Sequence, residues 1–166
     1  MCDYCDCREL TPIRELSEEH ERIAALAANL RDGLLRAEAS SHIDVAEGAL
    51  AALRSALSVH LEREEAGLFV ELARRGGFDW YIRELAGDHE RARATLLSPL
   101  ASVSTDIPML LAALDDLAQH IETEEYDLFP ASRLILDDES WSRVSASHHG
   151  VPIGAPASGR SGERGT

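Results

Sequence analysis

Apolar residues recur along most of this chain at the spacing of one helix face. Ile13, Leu16, Ile23, Leu26, Leu30 and Leu34 form the first stripe. Thr11 and Pro12 precede it as a cap and a first helical residue, and Ala39-Ser40-Ser41 breaks it after about residue 38. A second stripe, Leu50, Leu53, Leu57, Leu68 and Leu72, predicts a helix from about Asp44 to Arg75 that stops at Gly76-Gly77. Asp79 can cap a third helix with Ile82, Leu85, Ala92 and Leu96 on its inner face, and Pro99 limits it. Thr105 or Asp106 caps a fourth, with Pro108 in its first turn and Leu110, Leu114, Leu117, Ile121 and Leu128 in its stripe; Pro130 kinks or ends it. A short fifth helix can follow Asp137-Asp138 and include Trp141 and Val144.

The expectation is an all-α, antiparallel up-down four-helix bundle. Its helices would be about 25–30 residues, or roughly 40 Å, long. That length also suits an extended coiled-coil arm, the lesser alternative. The chain divides into a Cys-rich lead (1–10), the bundle (11–136), the short helix (137–149) and a tail (150–166). The tail has almost nothing to bury and is expected to be disordered.

Each stripe is interrupted by residues that do not belong in an apolar core. The first contains His20, the second His60 and Glu64, the third His89, and the fourth His120 and Glu124. Residues i and i+4 share a helix face, so His60-x-x-x-Glu64 and His120-x-x-x-Glu124 can each aim two groups at one place. Burying these imidazoles and carboxylates unpartnered would cost several kcal/mol per charged group. Two divalent or trivalent cations would offset that cost, because imidazole nitrogen and carboxylate oxygen are suitable donors. A hydrogen-bonded polar network is the structural alternative.

The chain also repeats itself. Val59-His60-Leu61-Glu62-Arg63-Glu64-Glu65-Ala66-Gly67-Leu68-Phe69 matches Gln119-His120-Ile121-Glu122-Thr123-Glu124-Glu125-Tyr126-Asp127-Leu128-Phe129. Glu19-His20-Glu21-Arg22 echoes Asp88-His89-Glu90-Arg91. Two copies of a helix pair would build two similar metal positions facing each other.

Composition supports helix over sheet. Hydrophobic residues make up 45% of the 166, but aromatics only 5%, and Ala and Leu dominate. The net charge of −14 disfavours nucleic acid and anionic lipid as partners. Most of the 30 acidic residues read as a solvated surface. No apolar run approaches the ~18 residues of a membrane span. Residues 1–7 lack the basic and apolar regions of a signal peptide, so a cytoplasmic location is expected.

At the six stripe residues the sequence resembles the hemerythrin-like, or HHE cation-binding, family, over roughly residues 12–130. The resemblance implies a di-iron centre: two Fe ions joined by an oxo or hydroxo bridge, with His20 and His60 on one iron, His89 and His120 on the other, and Glu64 and Glu124 bridging. A swap of the His pairs between irons stays open. Oxygen-carrying members place a second histidine four residues after the first on the third helix; here that position is Arg93. Their fourth-helix carboxylate is Asp, here Glu124. The pattern is similar to the four-His, two-Glu sites of iron–sulfur cluster repair proteins and of an iron-sensing ubiquitin-ligase subunit. It implies an open position for water, oxygen, peroxide or nitric oxide, and disfavours reversible oxygen transport. The expected function is binding or sensing of a small diatomic ligand, peroxide or iron, by a monomer or homodimer. A peroxide- or nitric-oxide-consuming enzyme and iron supply to cluster repair are the alternatives.

Other residues carry weaker signals. Cys2, Cys5 and Cys7 could bind a soft metal such as zinc, with His148 or His149 as a fourth ligand, or could simply be exposed thiols. Three cysteines in a reducing compartment argue against a disulfide framework. His42 lies about 27 Å along the second helix from His60 and reads as a surface or loop residue. Tyr126 could lie near the site, though a surface position suits it better.

Overall fold

The computed structural model of the chain describes residues 9–39, 43–103 and 106–150. Among these residues there is no strand. Four helical arms form the bundle: α1 (Thr11–Ala39); α2 (Ile43–Ala66) continued by α3 (Leu68–Arg75); α4 (Asp79–Thr95); and α5 (Ile107–Thr123), continued through a π-helical segment (Glu124–Leu128) into α6 (Phe129–Ile135). A fifth helix, α7 (Asp138–Gly150), lies against α1, α2 and α3. α1 packs on α2 and α5, α4 on α3 and α5, so consecutive arms are neighbours around the bundle. The Cys-rich lead to residue 8, His42, Thr105 and the tail from residue 151 lie outside the described residues.

The stripes became the core. Ile13, Leu16, Ile23, Leu30, Leu34, Leu50, Leu53, Leu57, Leu68, Leu72, Leu85, Leu96, Leu110, Leu114, Leu117 and Leu128 are all buried. They form two separate apolar clusters. One holds Ile23, Leu30, Leu50 and Leu114, and the other Ile13, Leu68, Phe69, Phe129 and Trp141. The six polar stripe residues, buried by the same inward-facing periodicity, interrupt the apolar face between these neighbourhoods.

Four local expectations change or sharpen. The second arm is not one continuous helix but breaks at Gly67. A Cβ there would lie 2.6 Å from the Ser147 Oγ on α7 and 3.0 Å from the Arg63 carbonyl oxygen, so α7 seats where only glycine leaves room. The fourth arm runs beyond Pro130, to Ile135, but its regular ladder is interrupted: the Phe129 N–H donates to the Glu124 carbonyl, five residues back. Pro130 has no N–H to continue the ladder, and a π-turn absorbs the defect. Asp79 is the first residue of α4, not its cap; Phe78 stands at the cap position, and its carbonyl accepts the Ile82 N–H. Likewise Leu10, not Thr11, supplies the first carbonyl of α1. Asp106 does cap α5, its carboxylate accepting the Met109 N–H at 2.9 Å. Among the described residues, no helix is long and apolar enough to cross a membrane.

Candidate metal centre

The six stripe residues come together in the middle of the bundle. His20, His60, Glu64, His89, His120 and Glu124 are each at most 5% exposed. The Nε2 atoms of His20 and His60 lie 3.0 Å apart, and those of His89 and His120 lie 3.1 Å apart. Each glutamate reaches one imidazole of each pair. Glu64 is 3.4 Å from both His60 Nε2 and His89 Nε2. Glu124 is 3.3 Å from His120 Nε2 and 3.2 Å from His20 Nε2. Two overlapping sets result, His20–His60–Glu64–Glu124 and Glu64–His89–His120–Glu124, and within each the donor atoms lie within 4.8 Å of one another.

The outer nitrogen of every imidazole is held by a carboxylate. Glu125 takes His20 Nδ1 at 2.9 Å, Glu19 takes His60 Nδ1 at 3.0 Å, Glu65 takes His89 Nδ1 at 2.8 Å, and Asp88 takes His120 Nδ1 at 3.3 Å. Such a partner makes Nδ1 the donor and leaves Nε2, with its lone pair, facing inward, as a metal-binding histidine requires. Arginines steady Glu19, Asp88 and Glu65. Arg63 pairs with Glu19 and Arg91 with Asp88. Arg93 makes two 2.8 Å bonds to Glu65. Phe129 stacks on the His20 ring at 5.5 Å, and Phe69 stacks on His89 at 5.1 Å, fixing the ring planes.

The sequence reading, which took most of the acidic residues as solvated surface, gave these four carboxylates no role of their own. The signal was present in the repeat. Glu19 precedes His20 as Asp88 precedes His89, and Glu65 follows Glu64 as Glu125 follows Glu124. Each residue therefore sits beside an inward-facing group of its own helix but serves a histidine on the next one. Only the packing of neighbouring arms reveals the pairing. Arg93, where oxygen carriers of the resembled family have histidine, points to Glu65 and Glu90. Tyr126 is half exposed, on the rim of a surface groove that reaches His20. His148 is buried, with its Nδ1 2.9 Å from Glu15 of α1, a contact that seats α7; the cysteines lie outside the described residues.

The electrostatics are those of a cluster that needs positive charge. Burial works against a charged His20, but Glu124 and Glu125, with Glu64 nearby, push its pKa up to about 10. Burial also opposes charge on His89, and Glu64 and Glu65 overcome it, raising His89 to about 9. His120 is raised in the same way, Glu124 prevailing over burial. Burial would raise Glu124, but His120 and His20 hold it well below the ordinary carboxylate range. Glu65 is brought down to about 2 against its own burial by His89 and Arg93.

All four carboxylate oxygens of Glu64 and Glu124 are nonetheless buried without an aligned hydrogen-bond donor. Orphaned anionic oxygens at the centre of a core are costly unless a cation takes them. The imidazole spacing fits the same occupant: two nitrogens bound at ~2.1 Å and at right angles to one cation stand ~3.0 Å apart. The donor set and the geometry therefore suit metal ions.

The model of the hemerythrin HHE cation-binding domain matches residues 11–132. The chain belongs to this family. The matched segment takes in all six inward-facing residues and all four carboxylates behind them, and it ends at Ser132 within α6, short of α7. Cation binding is thus the family's property, and the buried His and Glu clusters of this HHE domain are compatible with it. No curated protein and no solved structure matches the chain.

Proposed function

We propose that the bundle holds two iron ions, His20 and His60 serving one, His89 and His120 the other, with Glu64 and Glu124 shared between them, and that the pair binds or senses oxygen, nitric oxide or peroxide. The observation that supports this most is the sharing itself. Each glutamate contacts a histidine from both pairs, and its own oxygens lack any other partner. When bound, iron supplies redox change and an exchangeable coordination position.

The chain's own residues do the rest. Glu19, Glu65, Asp88 and Glu125 orient the imidazoles and keep Nε2 free to bind. Phe69 and Phe129 shield one face of His89 and His20 from water. Arg93 holds Glu65 in place instead of ligating. That favours a coordination shell poorer in nitrogen than an oxygen carrier's, and so a reactive or sensing site over reversible transport.

The test is metal content and spectrum. Protein purified after iron supplementation should contain about two iron ions per chain and show oxo-to-iron charge-transfer absorption. His60→Ala and Glu64→Ala should lower both. Metal well below one per chain, unchanged in these variants, would leave a hydrogen-bonded structural network instead. Peroxide turnover above that of free iron would move the assignment to an enzyme.

A further inference from the structure

The two halves of the bundle carry opposite charge at equivalent places beside their histidines. Between α1 and α2, Glu19, Arg22, Ser55 and Arg63 line a depression of about 100 Å³, together with the apolar Ile23 and Val59. In the repeat, Asp88 stands for Glu19, Arg91 for Arg22 and Thr123 for Arg63, and the same register sets Asp116 against Ala56. One carboxylate and two guanidiniums in the first half thus become two carboxylates and one guanidinium in the second. Asp88, Arg91 and Asp116 do line a common cavity between α4 and α5, so the two places correspond in space as well. Their pairing differs too. Asp88 is held by Arg91, one turn on in its own helix. The equivalent Glu19 is held by Arg63, from the next helix. Arg22 is exposed and is left without an ion-pair partner among the described residues. Arg63 donates to Glu19 through Nη1, but its buried Nε–H has no acceptor, which is costly for a cationic group.

We propose that this depression binds a small oxyanion of the phosphate or sulfate kind, held between Arg22 and Arg63 with the Ser55 hydroxyl as a further donor. Guanidinium forks match the oxygens of such ions, and charge-assisted bonds to them are the strong ones. The volume suits a small ion and is well below the roughly 300–1,000 Å³ of a site for a drug-sized molecule. A chain of net charge −14 repels anions at long range, so binding depends on donors aimed at one place. The second half cannot hold the same ion, because Asp116 and Asp88 face the space and Arg91 is already engaged. The site also touches the centre through one side chain. Glu19 accepts from Arg63 on one side and lies 3.0 Å from His60 Nδ1 on the other. An oxyanion on Arg63 competes with Glu19 for the guanidinium and so loosens the carboxylate that orients His60. Anion and metal then oppose each other by the same factor in both directions. Only this opposition rests on the metal reading above; the anion site does not.

Inorganic phosphate, titrated into the purified full chain at constant ionic strength, is the probe. In nuclear magnetic resonance spectra the Nε–Hε signals of Arg22 and Arg63 should shift saturably, and that of Arg91 should not. Arg22→Gln should weaken binding by about tenfold or more. Ala56→Asp, which places the second half's carboxylate in the depression, should weaken it at least as much. Absence of a saturable shift, or the same shift at every arginine, overturns the proposal whatever metal the protein holds. Wild-type affinity in both variants overturns it too. Glycerol phosphate in a parallel titration separates the free ion from a monoester: tighter binding of phosphate supports the free ion, and tighter binding of glycerol phosphate overturns that choice of ligand. Metal content, measured on the same preparation, reports on the di-iron reading alone. In metal-loaded protein, saturating phosphate should lower metal affinity by about two- to tenfold in chelator competition, and by less in Arg22→Gln. An equal effect of phosphate in wild type and Arg22→Gln overturns the link through Glu19 to His60.

Discussion

The Nε2 atoms of His20 and His60 stand 3.0 Å apart although 40 residues separate them in sequence. His89 and His120 repeat the relationship at 3.1 Å. Two neutral imidazoles have no reason to bring their lone pairs so close unless a proton or a metal ion lies between them. Glu64 and Glu124 join the two pairs, which makes their loss different in kind from the loss of a histidine.

His20→Ala should lower bound metal from about two ions per chain to about one, whereas Glu64→Ala or Glu124→Ala should disturb both positions. Elemental analysis of the purified variants measures this. Loss of a single ion on removing either glutamate would show that the carboxylates are not shared.

The carboxylates behind the histidines should matter without touching the metal. Glu19→Ala, Asp88→Ala or Glu125→Ala should each weaken metal binding by about 10–100-fold, less than removal of a ligand. Arg93→Ala should weaken it through Glu65, which that arginine holds by two hydrogen bonds. Competition with a chelator gives the affinities, and wild-type values in all four variants would reduce these groups to surface charges.

Protons and metal compete for the same nitrogens. With His20 up at about 10 and His89 at about 9, both hold protons at neutral pH when no metal is bound. Metal affinity should therefore rise from pH 6 to pH 9, with proton release on binding. Calorimetry in buffers of different ionisation enthalpy counts the protons; a count of zero would contradict the arrangement. The same shifts set the stability of the metal-free chain. A raised histidine pKa stabilises fully below the unfolded value near 6.5, and that contribution is lost as pH climbs through 9 to 10. The metal-free chain should thus melt lower at pH 9.5 than at pH 6.5, with a smaller difference once metal is bound.

Far from the centre, Glu71 fastens α7 to the bundle. It is buried, accepts bonds from Arg143 at 2.8 and 3.0 Å, and is also paired with Arg74. Arg143 holds its carboxyl below the ordinary range, with burial opposing and Arg74 assisting. A lowered carboxyl stabilises above its unfolded pKa and ceases to do so as pH falls through the folded one. Glu71→Gln should cost about 1–3 kcal/mol at neutral pH and reduce the loss of stability on acidification. Thermal melts from pH 3 to pH 7 read both effects.

Gly67 makes a steric prediction. Gly67→Ala should destabilise by about 1–3 kcal/mol, because its Cβ meets Ser147 and the Arg63 carbonyl. Ser147→Ala in the same chain should recover part of the loss. Full additivity of the two changes would mean that Gly67 and Ser147 do not press on each other.

Helical periodicity alone determined which residues of each arm face inward. An amphipathic helix can bury only one stripe, so the histidines and glutamates within those stripes had to enter the core with the leucines. That made His20, His60, Glu64, His89, His120 and Glu124 legible before any fold was known, and the repeat pointed to two similar positions, while which histidines pair with which stayed open. Periodicity says nothing about what lies across the gap between helices. The approach of Glu19 to His60 and of Glu125 to His20, and the break that seats α7 at Gly67, depend on how neighbouring arms are set against one another. Those relationships exist only between elements, and tertiary packing decided them.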